Sequence, residues 1–128
     1  MKKTLTRSLM VLLLGGFFSQ AALAQNGGAH LKTIADIVAS LNHFPSDADK
    51  AALAEIVADE NLPQGLRNMA STVANISHAA SAEGKEQMAA IQASDQAPDT
   101  AKALAGIIAS VNHTASDDAK STLAELFP

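Results

Sequence analysis

The chain has 128 residues with no Cys, Trp or Tyr, and its 13 acidic residues outnumber its 9 basic ones for a formal net charge of −4. The missing thiols exclude disulfides, thiolate catalysis and thiolate metal sites. An acidic balance points away from nucleic acid and from anionic lipid, both of which need a cationic face.

Residues 1–24 read as a secretory signal peptide. Lys2, Lys3 and Arg7 form a cationic start, Leu9 to Phe18 an apolar stretch, and Ala22-Leu23-Ala24 a small-x-small cleavage site. The apolar stretch is about half of the roughly 20 residues that a membrane span needs. No Cys follows it, so a lipoprotein is excluded. Cleavage leaves 104 residues, a single small domain, with six cations against all thirteen acids and a net charge of −7. The expected address is the periplasm or the exterior of a bacterial cell, with no stable membrane insertion after cleavage.

Residues 25–30, with Gly27-Gly28, are expected to form a flexible lead-in. From there the apolar residues follow helix spacing: Leu31, Ile34, Val38 and Leu41. The helix is expected to end at Asn42-His43, where a His would complement the negative end of the helix dipole. Phe44-Pro45 links to Ser46, which reads as an N-cap, with Asp47 and Asp49 favourably placed in the first turn behind it. Leu53 and Ile56 mark the apolar side of this second helix.

The same pattern returns twice. His43, His78 and His113 are 35 residues apart, as are Ser46, Ser81 and Ser116, and Lys50, Lys85 and Lys120; Pro63 and Pro98 repeat between copies. A fixed period of this size marks a repeat architecture. The predicted fold is all-α: three tandem helical hairpins of 35 residues, six short helices in all, over residues 31–62, 63–97 and 98–128. They would form a small α-solenoid or a compact helical array. The period resembles tetratricopeptide-type arrays in outline, but the Trp and Tyr positions of that motif have no counterpart here, and no family is assigned.

The helix faces are built largely from Ala, and Phe44 and Phe127 are the only aromatics after residue 24. Small faces bury little area each, at about 25 cal/mol per Å², so the repeats must hold one another up. The middle copy is the least apolar, with Thr72 in place of Ile37 and Ile107, and Gly84 inside a helix. In an open stack the middle copy should be the most apolar. Either the copies close in a pseudo-three-fold arrangement, or the outer copies cover apolar surface with a second molecule. The uncapped end Leu126-Phe127-Pro128 favours the second.

His43, His78 and His113 are the sharpest candidate site. In an open stack neighbours would stand about 10 Å apart, the spacing of packed helices, too far to share an ion. In a closed ring they converge, and three His with an open position form a catalytic zinc pattern. Lys50, Lys85 and Lys120 form a second periodic set, a candidate ladder for an acidic partner. The repeated Ser are explained by capping, and no third group orients a His as a triad requires. No calcium loop, phosphate loop or HExxH is present. The chain is therefore expected to be no enzyme and to need no cofactor. Its expected role is that of an exported helical-repeat interaction module that binds protein, including itself as a homo-oligomer, with no nucleic acid. The alternative is a periplasmic metal or small-ligand binder using the three His.

Overall fold

The computed structural model describes residues 28–128, all-helical with six helices and no strand among them. The expected signal peptide and residues 25–27 of the expected lead-in lie outside the described residues. The remainder of the expected lead-in is already helix: α1 spans Gly28–Ser40 and includes His30. There follow α2 (Asp47–Ala58), α3 (Gln64–Ala74), α4 (Ala82–Ala93), α5 (Asp99–Ser110) and α6 (Asp117–Leu126).

The starts of α2, α4 and α6 follow from the repeated Ser. Its Oγ accepts from the Asp49 N–H at 3.1 Å, from the Gly84 N–H at 3.0 Å and from the Ala119 N–H at 3.1 Å. Asp49 returns the bond to the Ser46 N–H, completing a capping box. Helices α3 and α5 start directly after Pro63 and Pro98, whose fixed φ suits a helix entry and whose missing N–H is not needed there.

Ile34, Val38, Met69, Val73, Leu104 and Ile108, from α1, α3 and α5, are fully buried. Leu53, Met88, Ile91 and Leu123, from the other three helices, close over them. The densest packing joins α2 to α3 and α4 to α5, across the boundary between repeats, rather than the two helices inside each repeat. The third equivalent pair, α6 with α1, has no connecting loop and packs less closely than the other two.

One hydrogen bond of the α2–α3 pair has a counterpart in this third pair. Arg67 Nε, on α3, donates to the Val57 carbonyl at the end of α2, 3.0 Å away. Lys32, the residue one repeat earlier, donates to the Phe127 carbonyl beyond the end of α6 at 3.4 Å. Val57 and Phe127 are themselves two periods apart. The α6–α1 contact thus repeats a bond of the α2–α3 boundary, in a looser packing. Phe127 packs partly against the core, with Leu126 half-buried and Pro128 exposed.

The weak middle copy also has an internal reason. Thr72 is buried, and its hydroxyl donates to the Asn68 carbonyl at 2.9 Å. A Cβ at position 84 would meet Thr72 Cγ2 at 2.7 Å. Glycine is what lets α4 approach α3 at this point.

Candidate metal centre

The three His do not sit in helical last turns, as the sequence suggested. Helices α1, α3 and α5 stop at Ser40, Ala74 and Ser110, and each His lies in the following loop with φ of +72°, +73° and +72°. These are the only non-glycine residues with positive φ among the described residues. Asn, Asp and His visit this left-handed region more readily than other side chains, yet it still costs about 1–2 kcal/mol.

The loops are pinned on both sides. Two residues before each His stands a buried Leu41, Ile76 or Val111; two after stands a buried Pro45, Ala80 or Ala115. With both flanks in the core, each His is pushed outward: His43 is half-buried, His78 and His113 exposed.

The loops then join to one another. The His43 N–H donates to the His113 carbonyl at 2.6 Å, the His78 N–H to the His43 carbonyl at 2.6 Å, and the His113 N–H to the His78 carbonyl at 2.5 Å. This is a closed cycle of three backbone bonds, and its His43–His113 member spans the first and last repeats. The imidazoles gather above it. Their centroids are 5.1, 5.1 and 4.9 Å apart, with ring planes inclined at 89°, 87° and 72°. The separation of about 10 Å that an open stack would impose is therefore not found.

One nitrogen from each ring lies within 4.8 Å of the others. A tetrahedral ion with metal–nitrogen bonds of about 2.0–2.1 Å separates its donors by roughly 3.4 Å and its ring centroids by roughly 5 Å. The ring centroids stand near this spacing, while the nitrogens, gathered within 4.8 Å of one another, must close further by rotation about the side-chain bonds to hold an ion. Asn42 Oδ1 lies 2.7 Å from His43 Nδ1, and Asn112 Oδ1 lies 2.8 Å from His113 Nδ1. An amide oxygen accepts from Nδ1–H, which leaves Nε2 as the free lone pair. In the middle copy Ser77 replaces the Asn.

The other candidate residues are not gathered in this way. Lys50, Lys85 and Lys120 are exposed, one on each of α2, α4 and α6. The Lys50 ammonium lies 5.8 Å from the Phe44 ring centroid. The one ion pair among the described residues is Lys32 with Asp36, at 3.3 Å. Sequence reasoning did not single out Asn42 and Asn112 as ligand-orienting groups, although both directly precede a repeated His. It also did not single out Phe44, which is 57% exposed.

No helix among the described residues is long and apolar enough to cross a membrane. No protein-family description, curated protein or solved structure matches this chain.

Proposed function

We propose that this protein binds one divalent transition-metal ion on His43, His78 and His113, with the three repeats closed on one another so that the ion lies on their common axis. The observation that carries the reading is the convergence of three repeat-equivalent imidazoles at about 5 Å centroid spacing over a closed cycle of backbone bonds. Neutral nitrogen donors suit zinc, copper, nickel or cobalt rather than magnesium or calcium, which take oxygen. Three protein ligands leave an open position, and here it faces solvent. Asp47, Asp49, Glu83, Asp117 and Asp118 follow the His by four to six residues, in the first turns of the neighbouring helices. Their charge attracts a cation to this end of the molecule. With residues 1–24 read as an export signal, the site works in the periplasm or outside the cell.

The test is zinc binding by calorimetry on the mature chain, with the imidazoles followed by nitrogen-15 NMR. One zinc per chain is expected, with all three rings shifting together and binding lost in H43A, H78A and H113A. Rings that shift independently or not at all, or zinc retained by the triple variant, would exclude the reading.

A further inference from the structure

Near-three-fold repetition makes departures from it informative. On the His face three of them line one groove. Position 44 is Phe where the other copies have Ala79 and Thr114; position 75 is Asn where they have Ser40 and Ser110; position 77 is Ser where they have Asn42 and Asn112. Phe44, Asn75 and Ser77 belong to two different repeats, yet together with Lys50, Ala74 and Ile76 they line a groove of about 380 Å³. That volume falls at the lower end of the roughly 300–1,000 Å³ typical of small-molecule sites. Phe44 directly follows His43 and Ser77 directly precedes His78, so the groove abuts the loops that carry two of the three imidazoles, while no imidazole itself lines it.

The lining has a definite chemistry. One wall is the exposed Phe44 ring, the single large apolar side chain left exposed among the described residues. The only charged lining group is the Lys50 ammonium, and no acid lines the groove. The Asn75 amide nitrogen is held by the Ser71 carbonyl at 2.9 Å, which leaves its oxygen free. At position 77 Ser stands where the other two copies carry the Asn whose amide contacts the adjacent imidazole.

We propose, resting on the three-imidazole metal reading, that this sector admits a small aromatic carboxylate. Its carboxylate takes the open position of the metal, with Lys50 balancing the charge, and its ring lies against Phe44. A monoanion matches the groove's single cation, and an aromatic body matches its single aromatic wall.

Cobalt(II) reports both steps, because its visible absorption bands appear on protein binding and change again when a fourth ligand enters. The mature chain is loaded with cobalt(II), its bands recorded, and benzoate, acetate and inorganic phosphate are then titrated separately. Benzoate should alter the bands at about tenfold lower concentration than acetate, the factor that about 1.4 kcal/mol of aromatic contact supplies. In F44A the two acids should coincide, and in K50Q both half-points should rise. Protein-bound cobalt bands that benzoate and acetate alter at equal concentration, or a preference that survives F44A, overturn the proposal and leave the metal site standing. So does phosphate acting below benzoate. Absence of protein-bound cobalt bands overturns both readings at once.

Discussion

The sharpest consequence of the left-handed loops concerns His78, which has φ of +73° and no Asn before it. In H78A the strain of a side chain at positive φ remains while the imidazole is lost. In H78G the strain disappears, since glycine adopts this region without steric cost. The left-handed penalty of about 1–2 kcal/mol, less the extra freedom glycine gives the unfolded chain, leaves H78G more stable than H78A by about 1 kcal/mol. For a domain of roughly 100 residues that is a melting difference of about 4 °C or somewhat more. With chelator present, H78G should melt above H78A and at or above the parent chain. Zinc should reverse the order against the parent. An ion at one hundred times its dissociation constant adds about 2.7 kcal/mol to the chain that binds it, and the two-imidazole variants gain far less. Thermal denaturation followed by circular dichroism, with chelator and then with zinc, reads both effects. Equal melting of H78G and H78A in chelator would mean that the loop relaxes and imposes no left-handed constraint. Zinc raising H78A as much as the parent would mean that the ion does not use this imidazole.

Three further outcomes follow from the packing. Removing a cap in S46A, S81A or S116A should cost about 1 kcal/mol each in denaturant melts, with S46A the largest because its capping box is lost as well. G84A should destabilise despite the gain of about 1 kcal/mol in helix propensity, because its Cβ meets Thr72 Cγ2 at 2.7 Å. The double variant T72S/G84A removes that methyl and should recover most of the loss; purely additive losses in a double-mutant cycle would disprove the contact. A circular permutant that joins residue 128 to residue 28 by a short linker and opens the chain between 94 and 98 should keep its helical circular dichroism and a cooperative melt. A molten or non-cooperative permutant would show that α6 and α1 do not form a boundary like the other two.

The helices were legible in the sequence because their signals are local. Ser46, Ser81 and Ser116 with acids behind them, Pro63 and Pro98 before α3 and α5, and apolar residues at helical spacing each act within a turn or two. The repeat gave the three His and their equivalence by counting alone. Closure was not legible, because it depends on rotations between helices that small, Ala-rich faces leave free in the sequence. The weakness of the middle copy hinted at closure, but Thr72 with Gly84 is a matched pair whose fit shows only once α3 and α4 are laid together. The His were misplaced by one turn because Asn42-His43 satisfies the usual description of a helix end. Only the buried Leu41 and Pro45 on either side show that the loop is drawn inward and the ring turned out.

Two of the three boundaries between repeats are covalent; the third, between α6 and α1, is held by apolar contact, by the Lys32–Phe127 bond and by the bond from His43 to His113. An ion on the axis would bind ligands from the first, second and third repeats simultaneously, so it would tie this open boundary as a linker does. The fold alone gives no reason for imidazoles there. Three glycines would make the same backbone cycle without the left-handed penalty, and the Ala-rich interior leaves little stability to spare for strain. Strained residues persist where the surroundings over-determine them, and they cluster at functional sites. Here the backbone conformation and its hydrogen-bond cycle repeat in all three copies, and in all three the strained residue carries an imidazole. The combination has a physical rationale if binding the ion offsets the strain of holding its ligands. The protein would then be least stable when metal-free, and the α6–α1 boundary should be the first part to open. Hydrogen exchange in chelator should therefore show lower protection for α1 and α6 than for α3 and α4, with zinc restoring it preferentially in α1 and α6. Uniform protection in both states would refute the ion's role as the third linker.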